Sequence, residues 1–342
     1  MTEYLSDRDL VVFSVPGFGS RVLSCDMPRL PNESLQGVAF LYRTREEAAA
    51  NAQIGGTCFL VSKFAPQMSE AFGKNMYVPF WVSNRHVIWD SAAPVVRLNK
   101  RGGGTKIIDY DCLDWIPHSS GDDLAAVCAF GNINMVEDEI RGVPDSYFIT
   151  EEKVSEWQLG IGDDVAMFGR FINHQGRNTI KPAARLGSIS MMPQPIWDSQ
   201  SKKDQISYAV EMRSRTGFSG SPVAMYRIPG TALMELPTEI QSVHGLLGVC
   251  WGHILDDEDG ENTYLNGVIP AWRLLDLFEE PKLKEQLKAA DSIDPESINR
   301  YPSAVPLAAA PPTTADNPDH REDFNRLLDA AVSGNKSDPE TS

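Results

Sequence analysis

A histidine that closes an apolar strand, an aspartate at the mouth of another, and a serine in a glycine-bracketed turn are the residues of this chain with reactive potential. The first lies in Phe80-Trp81-Val82-Ser83-Asn84-Arg85-His86-Val87-Ile88, the second in Asp122-Asp123-Leu124-Ala125-Ala126-Val127, and the third in Thr216-Gly217-Phe218-Ser219-Gly220-Ser221-Pro222-Val223. Singly, each has a plain structural reading: a surface histidine, a capping acid, a tight turn of the residues that dominate turns. Together they are the parts of nucleophilic catalysis. A serine hydroxyl is a poor nucleophile until a base takes its proton. A histidine can serve as that base, and a buried carboxylate fixes its tautomer and stabilises the imidazolium. The oxyanion that follows needs backbone N–H donors aimed at one spot. Gly217, two residues before Ser219, permits the turn that would aim its own N–H and that of Ser219 inward.

The elements that must position these residues read as strands. Val38 to Tyr42, Thr57 to Val61, Val78 to Ser83, Leu124 to Cys128, Asp164 to Phe168 and Leu246 to Trp251 are short apolar runs bounded by Gly, Pro or Asp. Runs of that length and composition are strand signals. Many of them without long helical patterns between predict an all-β barrel or sandwich. Leu10 to Phe13 reads as a further strand in a segment broken by Pro and Gly. Arg101 to Lys106 lacks the Gly-Lys-Ser/Thr ending of a phosphate loop and reads as a hairpin turn. Asp256 to Gly260 fails the calcium-loop pattern and reads as an acidic hairpin turn. Apolar residues three and four apart from Pro270 to Phe278 predict a helix, with residues 281–289 extending it after Pro281. Residues 291–342 hold seven prolines and few aromatics, the composition of a linker-like, disordered tail. Within it, His320 to Val332 reads as a short helix.

The order His86, Asp123, Ser219 resembles that of trypsin-like serine proteases. Other segments share the likeness. Gly55 to Val61 is similar to the strand before the family's histidine loop, and Ser83-Asn84-Arg85-His86-Val87 to its Thr-Asn-x-His-Val. Gly162 to Gly169 and Gly187 to Ser190 resemble strands early in the second barrel. Gly248-Val249-Cys250-Trp251-Gly252 resembles the strand lining the primary specificity pocket. Asn266 to Pro270 precedes a final helix, as in the Htr branch of the family.

The resemblance spans about residues 36–280 and implies two six-stranded antiparallel β-barrels of the chymotrypsin type, with a C-terminal helix and a disordered tail. It implies an N-terminal extension over 1–31, a first barrel over 32–140 with His86 and Asp123, a second barrel and closing helix over 141–280 with Ser219, and a helical extension and tail over 281–342. Asp123, directly before Leu-Ala, is the implied acid, and Asp122 then faces solvent. The implied oxyanion donors are the N–H groups of Gly217 and Ser219. The implied substrate pocket holds Arg213, Trp251 and Gly252, with Arg213 able to pair with an acidic substrate side chain and His253 at the rim or surface. Secreted trypsins place Asp before the nucleophile, where it pairs with a freshly cut N-terminus; this chain has Phe218. Control by loop ordering or a partner is expected instead. A peptide-binding PDZ domain does not fit within residues 291–342.

The activity expected is a serine endopeptidase acting through an acyl-enzyme, with a protein or peptide as substrate and no cofactor or metal. The alternative is a silent or latent protease-fold binding module. The tail is a candidate site for a regulatory partner. A net charge of −16, from 47 acidic and 31 basic residues, opposes nucleic-acid binding. Cys25, Cys58, Cys112, Cys128 and Cys250 are odd in number and form no C-x-x-C pair, so neither a disulfide framework nor a zinc site is signalled. No run reaches the ~18 apolar residues of a membrane span, and MTEYLSDRDL lacks the pattern of a secretory leader. A cytoplasmic protein without membrane attachment is the expectation.

Overall fold

The computed structural model describes residues 32–52, 55–134, 136–198, 201–213, 216–227, 243–255 and 262–292. The expected strand at Leu10 to Phe13, the acidic turn at Asp256 to Gly260 and the helix at His320 to Val332 lie outside these residues.

The fold is mostly β and has two sheets. The first contains β1 (Val38–Tyr42), β2 (Thr57–Phe64), β3 (Tyr77–Ser83), β4 (Val95–Asn99), β5 (Thr105–Ile108), β6 (Ile116–Pro117), β7 (Ala125–Cys128) and β8 (Val143–Pro144). Its order is β5-β4-β1-β2-β3-β7-β6, with β8 added beside β2 in parallel. The second contains β9 (Asp164–Gly169), β10 (Ala183–Asp198), β11 (Lys203–Glu211), β12 (Ser221–Arg227), β13 (Val243–Leu255) and β14 (Asn262–Pro270), and closes as β10-β11-β14-β13-β12-β9. The second sheet thus has the six strands expected. The first differs: it has eight, and among the described residues its two end strands do not pair. The reason is local, because β6 is two residues long and Pro117 has no N–H to give a ladder. Arg101 to Lys106 is the turn of the β4–β5 hairpin, with Gly102, Gly103 and Gly104 at positive φ.

Unbroken apolar runs fold as strands here because both faces of the first sheet are covered. Along β1, Ala39 and Leu41 enter the core of the first sheet, while Val38, Phe40 and Tyr42 pack with Ala166 and Phe168 of β9. Along β3, Trp81 points into the first core. Phe80 and Val82 point the other way, to Val249, Trp251 and Ile269 of the second sheet. Arg170, fully buried, pins the seam: it donates to the Leu41 and Ala52 carbonyls and to Gln175, and lies 4.3 Å from the Tyr42 ring centroid.

Among the described residues, six α-helices decorate the sheets: α1 (Arg45–Ala50), α2 (Pro66–Phe72), α3 (Arg85–Ile88), α4 (Glu151–Glu156), α5 (Trp272–Phe278) and α6 (Pro281–Asp291). The expected final helix is present as α5, and Pro281 starts α6 at a first-turn position that needs no N–H. Leu274, Leu277, Phe278, Leu283 and Ala290 bury into the core shared by the two sheets. α2 has Ala65 at its N-cap, which offers no side-chain acceptor. Asp291, at the end of α6, replaces it by accepting from Met68 N at 2.8 Å and Gln67 N at 3.3 Å.

Candidate active site

His86 sits in the first turn of α3, just past the end of β3. Its backbone N–H donates to Asp123 Oδ1 at 2.9 Å, and its ring Nδ1 lies 2.6 Å from Asp123 Oδ2. One carboxylate therefore holds both the main chain and the ring of the histidine. An ionised carboxylate only accepts, so Nδ1 carries the hydrogen and Nε2 is left with a free lone pair. Burial pulls the His86 pKa down, but the hydrogen bond and charge of Asp123, with the charges of Asp198 and Asp90, outweigh it and leave the pKa raised. Asp123 is itself buried and fixed through its main chain. Asn84 Nδ2 donates to its carbonyl at 2.8 Å, and its N–H donates to Gln205 Oε1 at 2.9 Å.

Ser219 sits in the turn before β12. The Ser219 carbonyl accepts from Thr57 N at 2.9 Å, which ties the turn to the start of β2. The Thr57 hydroxyl donates to Gly217 O at 2.7 Å while accepting from Arg170 N at 2.9 Å. Gly217 has φ +107, and a side-chain carbon there would meet Arg170 O at 2.7 Å and Ile172 at 2.8 Å, so only glycine fits. Gly56 shows how close the histidine and serine segments come. A side-chain carbon on it would lie 2.9 Å from Val87 and 3.0 Å from Ser219 O. The Ser219 hydroxyl donates to the Trp251 carbonyl at 3.2 Å, the long end for such a bond. Among the described residues, neither Gly217 N–H nor Ser219 N–H has a backbone acceptor.

Phe218 is buried with Met167, Val223 and Cys250, beneath the Arg185 guanidinium at 5.7 Å from its ring centroid. The turn is thus anchored by an apolar side chain where secreted trypsins use an ion pair.

Asp122 corrects the sequence reading. It is buried, not solvent-facing, because three side chains reach it. His118 Nδ1 lies 2.9 Å and Arg273 Nε 2.6 Å from its Oδ2, and Gln205 Nε2 donates to its Oδ1 at 3.0 Å. Burial alone would raise its pKa; the hydrogen bonds from His118, Arg273 and Gln205 prevail and hold it well below the usual carboxylate range.

Of the residues expected to line a substrate pocket, Trp251 is buried and its indole N–H donates to Ser207 Oγ at 2.9 Å. Gly252 follows it in β13, and His253 is half-buried, with its pKa lowered by burial. Arg213 is exposed, two residues past the end of β11. Among the described residues no group of three or more His, Cys, Asp or Glu is placed to hold a metal ion. No described helix is long and apolar enough to cross a membrane.

Sequence reasoning missed Thr57, Asn84, His118, Gln205 and Arg273. Asn84 and Thr57 stood inside quoted motifs, so position was a signal for them. Gln205 and Arg273 carried none, since their partners lie 82 and 151 residues away.

No protein-family model and no curated protein matches this chain. Some solved structures are similar to it over much of its length. The MamO protease domain from Magnetospirillum magneticum, apo form, is 12% identical with a TM-score of 0.44, over 73% of this chain and 99% of that one. Deg5 is 15% identical with a TM-score of 0.40, over 71% and 87%. Rv3671c from M. tuberculosis H37Rv, a serine-to-alanine mutant in an inactive form, is 14% identical with a TM-score of 0.37, over 76% and 90%. Of these neighbours, MamO is a protease domain and Rv3671c a protease.

Proposed function

We propose that this chain is a serine endopeptidase with a chymotrypsin-type pair of barrels. Ser219 is the nucleophile, His86 the base and then the acid, and Asp123 the orienting carboxylate. The observation that carries this reading is the double hold of Asp123 on His86. It leaves Nε2 unprotonated beside the segment that bears Ser219, as a general base must be. In the reaction, the Ser219 hydroxyl leaves the Trp251 carbonyl and gives its proton to His86 Nε2 as Oγ attacks the peptide carbonyl carbon. Gly217 N–H and Ser219 N–H receive the oxyanion. His86 then passes the proton to the leaving amine, and water clears the acyl-enzyme by the same steps in reverse.

Reaction with a fluorophosphonate probe tests this reading. Wild type becomes labelled, Ser219→Ala does not, and a Ser201→Ala control labels as wild type. An unlabelled wild type, or a labelled Ser219→Ala, would refute it. The bond from Ser219 to Trp251 supports a second reading, a latent site that a partner or substrate switches on. In that case labelling of wild type is slow alone and rises when a peptide substrate is present.

A further inference from the structure

The acid of the site is held by more than its own loop. The segment from His118 to Leu124 is a tight turn, closed by His118 N to Leu124 O at 3.1 Å and Gly121 N to His118 O at 3.0 Å. It is gripped from two sides by residues far away in sequence. One side is the ribbon of β10 and β11. These strands continue past their other partners: β9 pairs only Ala183 to Ser188, and β14 only Tyr208 to Glu211. The overhang places Gln205 opposite Ile196, on the ribbon face turned to the acid turn, while Trp197 and Ile206 face outward. The other side is α5 and the start of α6. Arg273 gives Nε to Asp122 at 2.6 Å, and its two remaining nitrogens to Ser120 Oγ at 3.0 Å and Asp276 at 2.9 Å. Glu280 accepts from Ser119 N at 2.7 Å.

Gln205 is the bridge. Its Oε1 accepts from Asp123 N at 2.9 Å, and its Nε2 donates to Asp122 Oδ1 at 3.0 Å. The amide fits only this way round, because the flipped form would set a donor against an N–H and an acceptor against a carboxylate. Asp122 is in turn held by His118 and Arg273. The two adjacent aspartates therefore divide the work. Asp123 faces His86, and Asp122 faces away into a charged network that fixes the shared peptide between them.

We propose that Asp122, Gln205 and Arg273 are positioning residues that clamp the Asp123 main chain, so that docking of helix α5 and of the β10–β11 ribbon sets the hold of Asp123 on His86. This rests on the reading of Ser219, His86 and Asp123 given above. A displacement of about 1 Å at a catalytic group costs on the order of 100-fold in rate, so a clamp three bonds from the carboxylate carbon has leverage on catalysis without touching substrate.

Gln205→Leu and Arg273→Lys test the clamp. Both keep the net charge, and both leave Asp123, Asp198 and Asp90, the carboxylates acting on His86, in place. The readouts are kcat and KM on a peptide substrate, the pH dependence of probe labelling, and thermal unfolding. For each variant kcat falls on the order of 10- to 100-fold with KM within about twofold. The acid limb of the labelling profile moves to lower pH, since a looser Asp123 no longer raises the His86 pKa. A purely structural role would lower the melting temperature and leave that limb where it was. If Gln205→Leu fails to fold, Arg273→Lys, altered at a partly exposed site, still decides. An unmoved acid limb in a folded variant overturns the clamp, whatever its rate. Labelling of Ser219→Ala would instead overturn the triad itself, so the two failures are told apart.

Discussion

At the scale of the residue, the proposed chemistry rests on His86 and Asp123. A carboxylate that holds both Nδ1 and the backbone N–H of the histidine selects one tautomer and opposes rotation of the ring. Asp123→Asn offers an amide where the ring needs an acceptor, and it favours the wrong tautomer. The expected result is a fall in kcat of about 10⁴-fold, the loss when the same acid is replaced in a chymotrypsin-type triad. Thermal unfolding should change little, because the amide keeps the size and most hydrogen bonds of the acid. A rate within tenfold of wild type would show that Asp123 does not serve this role. Phe218 belongs to the same scale. Its ring occupies apolar core and anchors the turn of Ser219.

Elements act through their ends and overhangs. α2 and α6 are joined by Asp291, which supplies from 223 residues away the cap that Ala65 cannot give. Asp291→Ala removes the acceptor for two N–H groups at once. A loss of about 1–2 kcal/mol is expected, as for removal of a helix cap. Chemical denaturation would measure it, and hydrogen exchange of Met68 N–H would speed up. An unchanged denaturation midpoint would show that α2 does not depend on this cap. At this scale much was legible in the sequence. The run Val38 to Tyr42 is β1 itself, and Pro281 marks the start of α6. The length of the β10–β11 ribbon was not legible, because Met191 to Trp197 has no clean alternation and includes two prolines and a register shift.

For the whole molecule, the buried charges that cross between sheets govern the response to pH. The folded pKa of Asp122 lies below its ordinary value of 3.8, so its contribution to stability is present above that value and is lost as pH falls below it. Wild type should therefore lose stability steeply below about pH 4. Asp122→Asn should be less stable at neutral pH and show a flatter acid dependence. Denaturation midpoints from pH 7 down to 3 would test this, and parallel curves would show that Asp122 has no such share. The raised pKa of His86 acts in the opposite sense: its contribution to stability is full below the ordinary histidine value and fades as pH rises through the raised one.

The sequence by itself determined the three reactive segments, their order, and the strands that carry them. Each of these is a local matter: an apolar run between breakers, a glycine two before a serine, a histidine where a strand ends. The resemblance to trypsin-like proteases, together with strand alternation, also pointed to Asp123 rather than its neighbour as the acid facing the histidine. Tertiary structure alone decided what the other direction meant. Asp122 points not to water but to Arg273 and Gln205, brought there from 151 and 83 residues away by a helix and a strand overhang. Alternation fixes direction along a chain, but only packing fixes what lies in that direction. Three features that each read as ordinary turns and caps thus become one candidate active site, with the acid held from both sheets.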